Sequence, residues 1–174
     1  MASGPRDRDL LAMYRLCAAI LLTCQGHIFL LSGEEFGRTK NGNDNSYNAP
    51  IDLNALNWQL AYDNSSLRDY YRGLIALRKR CPGLCEKSEA PRLLSHWAAP
   101  STLGVYLNNT GPEGFGLLYM IYNAGTTPIT QELSEGQWEV CADGENSFLW
   151  QEHRPLEGSV TVPPVSAMIL RQVG

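Results

Sequence analysis

The spacing of apolar positions changes character three times along the chain. Leu10 to Cys24 is a strongly apolar stretch of helical length, preceded by the charged run Arg6-Asp7-Arg8-Asp9. This predicts a helix over 10–24. Ile28 to Leu31 is a short continuous apolar run that stops at Ser32-Gly33 and then at two adjacent carboxylates, Glu34 and Glu35. Such a run predicts a buried strand that delivers acids to the rim of a sheet, because buried parallel strands are continuously apolar and ligands bind beyond their carboxyl ends. Residues 32–62 are polar, dense in Asn, Asp, Gly and Tyr, and predict a loop. Structureless connections rarely exceed about 12–15 residues, and those that do tend to be functional.

Helical periodicity then returns. Asp63-Asn64-Ser65 offers capping side chains, and Leu67, Tyr70, Tyr71, Leu74, Ile75 and Leu77 mark one buried face. Arg78-Lys79-Arg80 complements the dipole at the helix end, and Pro82-Gly83 stops it. From about residue 90 short β-rich runs take over: 103–107, 115–122, 138–141, 148–150, 159–162 and 167–170. Between them stand the breakers Asn108 to Pro112, Ala124-Gly125, Asp143-Gly144 and Pro163-Pro164. This spacing predicts an antiparallel sandwich.

Charge sharpens the division. Residues 1–84 hold ten Lys/Arg and eight Asp/Glu, whereas residues 85–174 hold four and ten. The shift supports a boundary near 84, and no basic stripe points to nucleic acid. The five cysteines are odd in number and irregularly spaced. Cys81-x-x-x-Cys85 lacks the second pair that a zinc site needs, so reduced thiols are expected. Asp44, Asn45, Asp52 and Asn54 supply oxygen ligands, but EF-hand spacing is absent. No metal and no cofactor is expected. Residues 1–24 admit a second reading as a signal peptide, with Leu22-Thr23-Cys24 as a poor lipidation site. The two aspartates among the arginines argue against it. A membrane span needs about 20 apolar residues, and Gln25-Gly26-His27 interrupts this run too early, so no membrane partner is expected.

Several blocks together resemble a known family. Gly26, Phe29, Gly33-Glu34-Glu35-Phe36 and Arg38-Thr39-Lys40 are similar to the end of the eighth barrel strand in type I pullulanases, starch-debranching enzymes of the α-amylase superfamily. Asp44-Asn45-Ser46-Tyr47 and the stretch Asn54 to Trp58 continue the similarity. Residues 117–124 (LLYMIYNA), 138–144 (WEVCADG) and 160–170 (VTVPPVSAMIL) resemble the β-sandwich that follows the barrel in that family. One departure is visible: His27 and Ile28 stand where the family usually has an apolar residue and then Pro.

The resemblance implies an α+β fragment. Residues 1–84 would be the final βα unit of a (β/α)8 barrel, and residues 85–174 an all-β antiparallel sandwich. A whole barrel needs about 250 residues, so the chain would hold roughly the last quarter of one. The family's catalytic carboxylates lie on earlier strands, the last of them in a His-Asp motif that does not precede the helix here. The chain is therefore expected to carry no catalytic residue and to be inactive alone. Its parent would hydrolyse α-1,6 branch linkages in pullulan, starch and limit dextrins by a retaining double displacement. The expected partners are α-glucan oligosaccharides and the rest of the parent barrel. The compartment, cytoplasmic or secreted, stays open. The alternative is a carbohydrate-binding or structural β-sandwich module without chemistry. A secreted or lipid-anchored β protein would require the signal-peptide reading.

The expected sugar contacts follow from this placement. A glycosidase pair must straddle a bond, about 5–5.5 Å apart for retention. Adjacent Glu34 and Glu35 leave a strand end in different directions and do not form such a pair. The resemblance makes Glu35 a support of the rim and Glu34 a sugar contact. It places Arg38, Asn45, Tyr47 and Asn48 in the loop bordering the donor side of the cleft. The local alternative is self-bonding, since Asn and Asp side chains readily bond nearby backbone. Trp58 is expected as a packing anchor rather than a sugar platform. His27 has no partner spaced to form a nucleophile pair, and His96 and His153 are expected at the surface.

Overall fold

The computed structural model describes residues 5–86, 92–109 and 115–173. The first long helix, α1, spans Pro5–Thr23. It buries Leu16, Ala18, Ala19 and Leu22 and leaves Leu10, Met13 and Ile20 outside. Residues 28–31 form no strand. Their side chains nevertheless alternate: Ile28 and Leu30 pack against the core, while Phe29 and Leu31 face out. A strand exists only through a neighbour that accepts its ladder hydrogen bonds, and none lies beside this segment among the described residues. The expected buried strand is therefore not formed: only Ile28 and Leu30 of the run pack inward.

The polar segment 32–62 is less irregular than predicted. It contains a 3-10 turn over Glu34–Phe36 and two short helices, α2 (Ile51–Asn54) and α3 (Gln59–Asp63). Helix α4 (Ser65–Arg80) follows with the expected buried face; Leu67, Tyr70, Tyr71, Leu74 and Leu77 are inside and Ile75 is on the margin. Asn64 caps it by position only. Its side-chain amide donates instead to the Phe36 carbonyl at 3.0 Å, tying the helix start to the 3-10 turn. Pro82 does not simply stop the chain; it opens a further turn, α5 (Pro82–Cys85).

The strands are β1 (Arg92–Ala99), β2 (Thr102–Asn108), β3 (Leu117–Asn123), β4 (Ile129–Glu132), β5 (Gln137–Ala142), β6 (Pro155–Leu156), β7 (Ser159–Val162) and β8 (Ser166–Val173). They form a six-stranded sheet in the order β1-β2-β3-β8-β5-β6 and a two-stranded sheet, β4-β7, with antiparallel pairings throughout. Two layers of strand are present, as expected, but they are unequal. The predicted strand at 148–150 is instead a 3-10 turn over Leu149–Gln151, because Phe148 sits at φ 70° and turns the chain out of the extended region. The predicted breaker residues Thr110-Gly111-Pro112 lie outside the described residues.

The large sheet is buried on both faces. Tyr119, Ile121, Trp138, Val140, Met168 and Leu170 point toward Val160 and Val162 of the small sheet. Leu118, Met120, Tyr122, Ala167 and Ile169 point the other way, into a core shared with α1 and α4. This two-sided burial explains why β3 and β8 read as nearly continuous apolar runs. A bulge between Val140 and Ala142 leaves Cys141 as the extra residue, so Cys141 and Ala142 both join the helix-side core. Burial pushes the thiols of Cys81, to about 12, and Cys141 upward, and both stay protonated.

Helices and sheet are joined by specific bonds. The Tyr70 hydroxyl donates to the Asp143 carbonyl at 2.7 Å, and the Ser147 hydroxyl to the Tyr70 carbonyl at 3.0 Å. Gly73 is required there, since a Cβ would fall 1.8 Å from Ser147 Oγ. Arg78 was expected to serve the helix dipole. It is buried instead, and its guanidinium donates to the carbonyls of Leu22, Cys24, Gly26 and Leu84. One side chain thus closes the end of α1 and the turn that leads to Ile28.

Candidate functional site

The segment beyond Leu31 is shaped first by glycine. Gly33 (φ 98°) and Gly37 (φ 75°) flank the Glu34–Phe36 turn in left-handed conformations. A Cβ on Gly33 would lie 2.8 Å from Arg38 Cβ, so both conformation and space exclude other residues. The turn drives Phe36 into the interior and leaves both carboxylates half-buried. Glu35 Oε2 accepts the Gly33 amide at 2.9 Å, fixing the turn from within. Tyr71, from α4, is pushed up to about 12 by burial first and then by the charges of Glu34, Cys17 and Glu35. The two acids therefore face helix α4 as well as the loop.

Arg38 and Lys40 hold the far side of the loop. Arg38 Nη1 donates to the Ser32 carbonyl at 3.0 Å and Nη2 to the Asn54 carbonyl. Lys40 Nζ donates to Asn54 Oδ1 and, at 3.4 Å, to the Leu53 carbonyl. Lost hydration and then the neighbouring Arg38 charge lower the Lys40 pKa. Asn54 completes the frame, donating its amide to the carbonyls of Ser46 at 2.8 Å and Ala49 at 3.2 Å. Two cations and one amide thus replace the ladder or core that would order a chain of this length elsewhere.

The five residues expected to touch sugar fall into two groups. Glu34 and Arg38 lie at the base of the loop, half-buried, with the Arg38 guanidinium occupied by backbone carbonyls. Asn45, Tyr47 and Asn48 stand exposed on the span that Asn54 fastens, with Tyr47 83% exposed. Self-bonding is real but selective: Asn45 N is held by Asn43 Oδ1, and Asn41 N by Thr39 Oγ1. Asn54 and Lys40 were not among the expected site residues. Only their position across the folded loop distinguishes them.

Trp58 is both anchored and open. Its ring lies 5.8 Å from that of Phe36, and 64% of the residue is exposed. Tyr62, one turn later, is 75% exposed. His27 is exposed. His153 is exposed, with Nδ1 3.1 Å from Glu139 Oε1, and the side chain of His96 lies outside the described residues. No three His, Cys, Asp or Glu side chains gather at one point, and no helix is long and apolar enough to cross a membrane, among the described residues.

No protein-family model matches the chain. It is 43% identical over 76 residues to a pullulanase of Bacillus subtilis (strain 168), covering 44% of this chain and 11% of that protein. It is 28% identical over 166 residues to a glycogen debranching enzyme of Pectobacterium carotovorum subsp. carotovorum (strain PC1), covering 86% of this chain and 23% of that protein. The crystal structure of pullulanase type I from Bacillus subtilis str. 168, complexed with maltose, matches with a TM-score of 0.85 and 25% identity. That match covers 99% of this chain and 24% of the other. The chain is thus a relative of pullulanases and glycogen debranching enzymes that spans about a quarter or less of their length.

Proposed function

We propose that this chain is the C-terminal portion of a pullulanase-type glycoside hydrolase that cleaves α-1,6-glucosidic branch linkages in pullulan, starch and limit dextrins. Residues 1–84 form the last βα unit of the catalytic barrel and residues 85–174 the following β-sandwich. The catalytic carboxylates belong to earlier strands and are not carried by this chain. Its own part is a sugar-binding rim made by Glu34, Arg38, Asn45, Tyr47 and Asn48.

One observation carries the reading. Residues 28–31 alternate inward and outward like a strand, yet Phe29 is 83% exposed and no ladder partner lies beside it among the described residues. An apolar segment of this kind calls for neighbouring strands, which the remaining barrel would supply. The likeness to pullulanases over nearly the whole chain, at a quarter of their length, supports the same conclusion. The rim reading rests on the three exposed polar or aromatic side chains above the fastened loop. Amides bond hydroxyls, and a Tyr face covers the C–H face of a sugar.

The exposed rings of Tyr47, Trp58 and Tyr62 also fit a non-catalytic carbohydrate-binding module. A chimera separates the two readings. The chain replaces the matching region of the Bacillus subtilis pullulanase, and reducing ends released from pullulan are measured. The chain alone should release none, and the chimera should be active. A folded but inactive chimera rejects the enzymatic reading. Within an active chimera, Tyr47→Ala should lower kcat/KM roughly three- to tenfold.

A further inference from the structure

Beside the loop, but apart from the five rim residues, lies a cavity of about 440 Å³ lined by Glu35, Phe36, Trp58, Ala61, Tyr62 and Arg68. Its size is that of a small-ligand site. We infer that it is a second α-glucan contact, in which a glucose ring stacks on Trp58 and Tyr62 and its hydroxyls bond Glu35 and Arg68. The inference rests on the α-glucan reading above.

Four features converge on sugar chemistry. First, Trp58 directly precedes α3, with helical φ and ψ of −66° and −18°, so Trp58 and Tyr62 stand four residues apart on one side of a helical turn. Two large rings, 64% and 75% exposed, are thereby offered together. Second, Trp58 is braced on one side, where its ring meets Phe36 at 5.8 Å with an interplanar angle of 42°. A braced aromatic face loses little freedom when a ligand stacks on it. Third, Glu35 uses Oε2 to accept the Gly33 amide, which leaves Oε1 without a bonding partner among the described residues. Fourth, Arg68 is steered by its Nη1 bond to the Ala61 carbonyl at 3.0 Å and by Asp69, whose Oδ1 lies 3.6 Å from Nη2, and it still lines the cavity. A carboxylate acceptor and a guanidinium donor flanking aromatic faces match a ring with apolar faces and hydroxyls at its edge.

The test is isothermal titration of the 174-residue chain with maltotetraose, against the variants Trp58→Ala, Tyr62→Ala, Tyr62→Phe and Tyr47→Ala. Loss of a stacked ring weakens Kd by about tenfold at most. Trp58→Ala and Tyr62→Ala should each weaken binding about three- to tenfold, and Tyr62→Phe should retain it. Trp58 also packs on Phe36, so its truncation disturbs the loop; Tyr62 is mostly exposed, and its pair of variants keeps the test independent of folding. Saturable binding unchanged by Tyr62→Ala, yet weakened by Tyr47→Ala, would overturn this second contact and leave the rim reading standing. Binding weakened by Tyr62→Ala but not by Tyr47→Ala would support the cavity and remove Tyr47 from the rim. Absence of saturable binding in the unaltered chain would overturn the cavity, while the pullulan assay of the chimera would still decide the rim.

Discussion

The helix–sheet junction and the loop over 32–62 are ordered by opposite means. At the junction, Leu74, Leu77, Leu118, Ile169 and their neighbours are wholly inside, and Arg78, Tyr70 and Ser147 bond the backbone that the packing would otherwise strand. In the loop, Phe36 is the one buried apolar side chain between Ser32 and Tyr62, and order comes from Arg38, Lys40 and Asn54 bonding carbonyls. Burial makes the junction stable and unavailable. Polar fastening leaves the loop's rings outside while tying its backbone in place.

The comparison is broken most severely at the sheet's buried ion pair. Arg171 makes two bonds to Glu139 Oε2 at 2.9 and 2.6 Å and lies 4.5 Å over the Phe115 ring. Arg171→Ala leaves a buried carboxylate with only the exposed His153 as its ionisable partner among the described residues and should destabilise the fold by about 3 kcal/mol in denaturant titration. The same pair gives a pH signature. Burial alone would raise the Glu139 pKa, but bonds from Arg171 and His153 outweigh it and hold the carboxyl below its ordinary range. Its stabilising contribution is therefore full above the unfolded carboxylate pKa, about 4.3, and is lost as pH falls through the lower folded value. Melting temperatures should drop over that acid window, and Arg171→Ala should flatten the drop.

Arg78→Met comes next. It keeps the stem and removes the donors to four carbonyls, and should lower global stability by about 2–3 kcal/mol, read by chemical denaturation. A change below 1 kcal/mol would show that water replaces the guanidinium at no expense. Asn54→Ala tests the loop in the same currency. It frees Ser46, Ala49 and Lys40 at once, yet should cost the whole fold only about 1 kcal/mol. The effect should appear as faster amide exchange across residues 46–55, with the helix core unchanged. Slowed or unaltered exchange there would mean that the loop is held by something other than Asn54. The smallest effect belongs to Tyr47→Ala, expected within about 0.5 kcal/mol of the unaltered melting free energy. A larger loss would make Tyr47 a packing residue rather than a rim residue.

Legibility followed the same division. Helix α4 was readable because its apolar spacing coincides with burial, and β7 because Val160 and Val162 alternate with polar neighbours. Strands β4 and β6 were missed: β4 is mostly polar and β6 is two residues long. Strand β1 was missed because a run with Ser95 and His96 in it lacks a clean period. The loop's glycines and its exposed amides and rings could be listed from the chain, but not which of them would fasten it. Spacing alone does not show that the Arg38 guanidinium also bonds the Ser32 and Asn54 carbonyls.

By itself the sequence determined where helix gives way to sheet, which helix face is apolar, and that an apolar run ends in two acids and a long polar loop. Those features are local: each depends on spacing and on the residue's own backbone preference. Only the tertiary structure decided that the large sheet is covered on both faces, that residues 28–31 alternate without a ladder, and that Cys141 is the extra residue of a bulge. It also decided that Trp58, Tyr62, Glu35 and Arg68 close around one cavity. Such facts depend on which distant groups meet, and a side chain's partners are fixed by packing and hydrogen-bond satisfaction over the whole chain rather than by its neighbours in sequence.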